Sequence, residues 1–332
     1  MRLQAISIGR QAARGRFNGA VHSAFGRAAN IRLDDGRLLC LLAPCAGNVP
    51  HGVRLAVPEG FAFSDHLTPG RRVGCRADVL RVAATGVAFD LGTAELWEGD
   101  APSPQVDWRR PQAAAAWRAA WRALRRRRAE APLPFPPPGP GDGSGAAPPG
   151  ALDLARVTRM LCRERAAAAA GRLIGRGPGL TPAGDDVLGG FLGALWSAVG
   201  EDAARGAFVA ELGAAVERAA AATGEISRAY LRQAVAGRLA QPLADLRRGI
   251  GQGAPGPAIE SLMARALGVG HTSGEDGALG LLLGLAAWGP KALYASRGAG
   301  NRGRRRHAGT GDRPRWLAPR ACSAICIATR CR

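Results

Sequence analysis

Residues 175–186, reading Gly-Arg-Gly-Pro-Gly-Leu-Thr-Pro-Ala-Gly-Asp-Asp, constrain this chain more than any other stretch. Four glycines and two prolines in twelve residues lead into adjacent carboxylates and then an apolar run. That is the pattern of a shaped loop delivering acids to a helix start. Glycine tolerates positive φ and lets another backbone approach closely, and Pro182 suits the first helical position, so Thr181 is expected as the N-cap of a helix running to about residue 199. The first turn of such a helix offers free N–H groups and the positive end of the dipole to a phosphate or carboxylate, and Asp185 and Asp186 beside it would suit a divalent cation such as Mg²⁺. The alternative is purely structural: two acids complementing the dipole and glycines making a turn.

A second segment echoes the first. Residues 270–276, Gly-His-Thr-Ser-Gly-Glu-Asp, precede the apolar run 277–288. In each segment a glycine follows the second acid by four residues, Gly190 after Asp186 and Gly280 after Asp276. Four residues is about one helical turn, and Gly193 and Gly284 extend the two stripes. Smooth faces of this kind let helices approach closely. The expectation is that two glycine-faced helices pack together and bring Asp185, Asp186, Asp276 and His271 to one site. Two ordinary helices, the second capped by Ser273, are the structural alternative.

The same residues carry a resemblance. The Gly-x-Gly-Pro-Gly-Leu-Thr-Pro-x-Gly-Asp-Asp stretch, the Gly-His-Thr-Ser-Gly-x-Asp stretch, Thr223-Gly-Glu-Ile-Ser227 with Tyr230-Leu231, and Gly47-Asn48-Val49-Pro50 together resemble the family of the AllH subunit of oxamate carbamoyltransferase, over roughly residues 20–290. The resemblance implies a cytoplasmic subunit acting with partner subunits in purine-derived (allantoin) nitrogen catabolism, moving a carbamoyl group between oxalurate or oxamate and phosphate. It does not imply that this chain holds the active site. A non-catalytic assembly subunit, with its glycine faces against a partner, and a phosphate- or nucleotide-binding protein of another activity stay open.

Residue chemistry alone suggests the roles. Carbamoyl transfer needs fixed donors for the leaving phosphate and for the carbonyl oxygen. Gly177, Gly179, Thr181 and Gly184, with Thr272 and Ser273, are the phosphate candidates. Asp185, Asp186 and Asp276 are candidates for a metal or for the amino group, and His271 for the carbonyl oxygen. Ser227 either reaches the site or caps its own helix. His51 reads as a surface residue of a turn, in a loop that could also close over the helical site. There is no defensible Ser-His-Asp spacing and no Walker-type Gly-Lys-Thr.

The net charge of +19 is localised. Residues 291–332 carry Lys291 and ten arginines against Asp312 alone, more than half the excess. This segment reads as a disordered extension or a frame-shifted end, and with only Trp316 among its arginines it lacks the interleaved rings of a single-strand binder. A second basic block comprises Arg118, Arg122 and residues 125–128. Nucleic acid is therefore not an expected partner. The cysteines show no Cys-x-x-Cys pair with matching His spacing, so neither structural zinc nor a disulfide framework is expected. No apolar run reaches the ~20 residues of a membrane helix, and residues 1–16 read as a frayed start rather than a leader.

The expected fold is α+β. Short strands at 31–33, 38–42, 53–57, 73–82 and 87–91 suggest a small antiparallel barrel or sandwich within residues 1–105. Residues 106–150 read as a basic helix, 108–131, whose Trp117 and Trp121 dock on one face, followed by a Pro/Gly-rich linker. Residues 151–290 read as helical throughout, with segments near 152–170, 185–199, 201–222, 225–239, 256–267 and 276–288.

Overall fold

The computed structural model describes residues 1–99, 105–130, 150–290 and 293. The linker and basic-tail assignments fall outside these residues. The N-terminal part is a β-barrel with strands β1 Arg2–Gly9, β2 Phe17–Ala24, β3 Ala28–Leu33, β4 Leu38–Leu42, β5 Gly52–Leu55, β6 Arg72–Arg76, β7 Val79–Val82, β8 Ala88–Asp90 and β9 Glu95–Trp97, with a short helix α1, Phe63–His66. The order β5-β4-β3-β2-β6-β7-β8-β1 closes through a β1–β5 pairing, leaving an eight-strand ring. Strands β8 and β9 share one edge of β1, pairing with Arg2–Gln4 and Ser7–Gly9 respectively.

Barrel closure corrects two expectations. Residues 1–16 are not a frayed start: β1 alternates inward Leu3 and Ala5 with outward Arg2 and Gln4 and closes the ring. The pairing is also mixed, since β1–β8, β1–β9 and β4–β5 are parallel. The single strand expected at 73–82 is a hairpin, β6 and β7, turned through Ala77 and Asp78 at φ 47° and 55°. Strand β4, Leu-Leu-Cys-Leu-Leu, is buried throughout. Leu39 and Leu41 fill the barrel, and Leu38, Cys40 and Leu42 pack outward against Ile226 and Tyr230. An unbroken apolar strand is what burial on both faces requires.

The remainder is helical: α2 Pro111–Glu130, α3 Ala151–Arg159, α4 Arg163–Leu173, α5 Ala183–Ala198, α6 Ala203–Ala219, α7 Glu225–Val235, α8 Gln241–Gln252, α9 Gly256–Leu267 and α10 Ser273–Ala286. The segment expected at 152–170 is two helices, broken where Leu161 takes φ 53°. Helix α8 was missed because its charged and glycine-rich second half hides its apolar face; Arg247, fully buried, donates to the Gly193 and Gly237 carbonyls. Helix α2 packs on α8, α9 and α10, with Trp117 buried, stacked on Trp121 at 5.4 Å and donating from Nε1 to the Leu282 carbonyl at 2.9 Å. No helix among the described residues is long and apolar enough to cross a membrane.

Candidate functional site

The two glycine-faced helices pack against each other. A methyl group on Gly190 would overlap the Gly277 carbonyl, one on Gly280 the Val187 carbonyl, and one on Gly284 the Phe191 carbonyl. Gly193 departs from the expected stripe and meets Leu239. Val187 lies against Gly280, Phe191 against Gly284, and the Thr181 hydroxyl is 2.8 Å from that of Ser273. The near-constant offset means that α5 and α10 run parallel, with both N-termini at one end. Two positive dipole ends side by side repel unless negative charge is near, and four acids occupy these first turns: Asp185, Asp186, Glu275 and Asp276.

Three of the four acids have fixed partners. Asp185, nearly fully buried, accepts from the Gly175 N–H at 2.9 Å and from the Thr223 hydroxyl, tying the glycine loop to the start of α7. Glu275 is paired with Arg127 at 3.0 Å and Asp276 with Arg128 at 3.1 Å. The Arg128–Asp276 pair is buried on both sides, with side chains 8% and 1% exposed. Burial pushes the Asp276 carboxyl up to about 7, against the pull of Arg128. Burial also lowers Arg128.

Asp186 is different. Neither an arginine nor a backbone N–H holds it; its buried Oδ2, like Glu275 Oε2 and Asp276 Oδ2, has no hydrogen-bond partner among the described residues. Burial raises its carboxyl well above the usual range; the Ser273 and Thr181 hydroxyls beside it pull the other way, and the charges of Asp276 and Asp185 add to the rise.

The helix starts do not follow the expected capping. Pro182, not Thr181, is the N-cap of α5, and Thr272, not Ser273, that of α10; neither gives a side-chain cap bond. The Thr181 and Ser273 hydroxyls face each other because the helices are parallel neighbours. Gly184 lies so close to the Leu173 carbonyl that any side chain would collide, and its N–H donates to the Arg176 carbonyl at 2.8 Å. It is a packing glycine whose donor is already used. Gly177 and Gly179 hold φ 118° and 90° in an exposed loop, a conformation that requires glycine. His271 is exposed in the turn before α10.

A metal fits this donor set poorly. Both oxygens of Asp185 are engaged, Asp276 faces Arg128, and among the described residues no three His, Cys, Asp or Glu side chains are grouped to hold an ion. Of the proposed ligands only Asp186 is free of an arginine or backbone partner, and Asp276 adds a single unpartnered oxygen.

Several further residues gather at this end of the molecule. His51 is not a surface residue: it is 3% exposed, its ring meets that of Tyr230 edge-on at 4.8 Å, and burial holds it down to about 4. Tyr230 is raised well above its ordinary value, mainly by burial, with Cys40 and Asp186 adding to the shift. Ser227, one turn before Tyr230 on α7, is buried with its hydroxyl unpartnered rather than capping its helix. Asn48 accepts from Ser7 at 2.6 Å and donates to Gln241 at 2.9 Å, while the Gln241 N–H returns to the Asn48 carbonyl. The Gly-Asn-x-Pro turn thus pins the barrel to the start of α8. Arg127 and Arg128 were counted as part of a basic block. Their place on the inward face is legible in the spacing, because Ala113, Trp117, Ala120 and Leu124 form a buried stripe on α2 that continues at 127–128, whereas their partners are not.

The cysteines at 40, 45, 75 and 162 are free thiols. No solved structure matches this chain. A family model described as oxamate carbamoyltransferase subunit AllH matches residues 173–285, which span the α5 and α10 starts, and a model of the AllH family N-terminal domain matches residues 4–96, the barrel. Barrel and paired glycine helices alike therefore place the chain in the AllH family of oxamate carbamoyltransferase subunits.

Proposed function

We propose that this chain contributes the reaction site of a carbamoyltransferase that uses carbamoyl phosphate and oxamate, or the reverse from oxalurate, in purine-derived nitrogen catabolism, in the cytoplasm and with partner subunits. The observation that supports this is Asp186: a mostly buried carboxylate with an unpartnered oxygen beside two hydroxyls, where two parallel helices bring their positive ends together.

In the forward direction the oxamate nitrogen attacks the carbamoyl carbon, the C–O bond to phosphate breaks, and phosphate leaves with the electron pair. The nitrogen must shed a proton. In this assignment Asp186 takes it, its raised pKa making it a better base than an ordinary carboxylate. The Thr181 and Ser273 hydroxyls share one hydrogen bond, and the hydroxyl whose hydrogen is not used between them donates to the phosphate, backed by the two dipoles. Gly177, Gly179 and Thr272 shape the approach, and His271, exposed at the rim, is assigned to the carbonyl oxygen. Asp185 and Asp276 act as positioning residues, through Thr223 and Arg128. No step is assigned to Mg²⁺.

A second reading, a non-catalytic assembly subunit, is favoured by the fixed protein partners of three of the four acids. Thermal unfolding of the full chain with carbamoyl phosphate, phosphate, ATP, oxamate or oxalurate, each with Mg²⁺ or with chelator, separates the two. A ligand at 100 times its Kd adds ~2.7 kcal/mol of stability. A shift with carbamoyl phosphate, together with loss of turnover in Asp186→Asn while assembly with partners persists, supports the site. Equal shifts with Mg²⁺ and chelator would remove the cation. No shift in the wild-type chain with any of these ligands, or an Asp186→Asn chain that turns over at the wild-type rate, refutes the assignment.

A further inference from the structure

We infer that the outer face of the barrel carries a second anion site, built from the β2–β6–β7 strands and suited to a compact polyphosphate. A hollow of about 370 Å³ lies there, lined by Asn18, Arg72, Gly74, Arg76, Arg81 and Ala83, with Val73 beneath. The hollow lies apart from the reaction site proposed above. In the ring order β7 lies across from β4, the strand that packs on α7.

Strand register builds the hollow. Asn18, Gly74 and Arg81 are opposite one another on three adjacent strands, and Arg72 and Arg76 flank Gly74 on the same outward face. Gly74 contributes no side chain, so the middle of the row is a floor between guanidinium groups. A Cβ on Gly74 would come 3.2 Å from Asn18 Oδ1 and begin to fill that floor.

Charge is only partly balanced. Arg72 donates to both oxygens of Asp34 at 3.0 and 2.9 Å. Among the described residues no carboxylate pairs with Arg76 or Arg81, and both are exposed. Two unmatched guanidinium forks beside a concave floor suit an anion that presents several oxygens and more than one charge, because each fork can donate two hydrogen bonds to a phosphate. No aromatic side chain lines the hollow, so nothing there stacks a nucleobase. The volume falls in the range of small-ligand sites. The ligand class that fits is an inorganic polyphosphate or the polyphosphate part of a phosphorylated metabolite.

The test is calorimetric titration of the full chain with sodium tripolyphosphate at constant ionic strength. Arg76→Gln/Arg81→Gln is expected to weaken binding at least about tenfold, since two charge-assisted contacts are lost. Gly74→Val, which fills the floor while keeping every charge, is expected to weaken it as well. Arg125→Gln/Arg265→Gln removes the same charge from exposed positions on α2 and α9 and is expected to leave the affinity within about twofold. No binding by the wild-type chain, unchanged affinity in Arg76→Gln/Arg81→Gln and Gly74→Val, or an equal loss in the control pair each overturns the site. Circular dichroism of each variant confirms that the barrel is intact.

Discussion

Replacing His51 with phenylalanine is expected to flatten the acid side of this protein's stability profile by a calculable amount. Burial against Tyr230, with neither ring nitrogen hydrogen-bonded among the described residues, holds the imidazole pKa at about 4 against an ordinary value of 6.5. The folded chain therefore binds fewer protons than the unfolded chain between those values. His51 contributes stability that is fully present above pH 6.5 and is lost as the pH falls toward 4. At 1.36 kcal/mol per pKa unit the whole effect is about 3 kcal/mol, most of which is lost between about pH 7 and about pH 4.5. Asp186 and Asp276 act in the opposite sense: with folded values raised, their contributions are present at low pH and are lost as the pH rises, for Asp276 through about 7. The wild-type profile is thus a sum, and the His51 part is isolated by difference. Phenylalanine keeps an edge-on ring against Tyr230 and cannot titrate. Urea unfolding of both chains at the two pH values is the assay, with wild type expected to lose about 2–3 kcal/mol more than His51→Phe on acidification. A difference under about 0.5 kcal/mol would refute the claim that this imidazole is buried in neutral form.

Gly280→Val should destabilise the chain by ~1–3 kcal/mol or more, because the side chain collides with the Val187 carbonyl. Gly189→Ala, on the same pair of helices but with its nearest neighbour 4.0 Å away, should instead stabilise by up to about 1 kcal/mol. Thermal melts that move both variants in the same direction would contradict the parallel packing of α5 on α10. Asp276→Asn leaves Arg128 buried without its countercharge, an expected loss of ~3–5 kcal/mol. Arg127→Gln should cost less, since that side chain is 48% exposed. Denaturant unfolding that ranks the two variants the other way would sink the buried-pair account.

Local rules determined a good deal of this molecule. Steric need is written directly in the chain: glycine one turn below each acid marked Gly190 and Gly280 as contact points, and α5 and α10 meet there. Period and punctuation marked β4 at residues 38–42 and α9 at 256–267, and turn residues separated the barrel strands. Tertiary structure decided which polar groups are spent. Asp185 and Asp186 are neighbours of one chemical type, yet one is tied to Gly175 and Thr223 and the other keeps an unpartnered oxygen. That split depends on where residues some forty positions away fold back, which no local pattern specifies. The burial of His51 follows from α7 covering the outer face of β4, and the pairing of Arg127 and Arg128 with Glu275 and Asp276 from α2 crossing α10. Residues 1–9 show the same division: alternation made a strand available, and only the pairing of β1 with β5 and β8 turned it into the closing stave of the barrel. Backbone periodicity and steric fit are local and therefore legible, whereas desolvation and charge pairing depend on what the rest of the chain brings alongside.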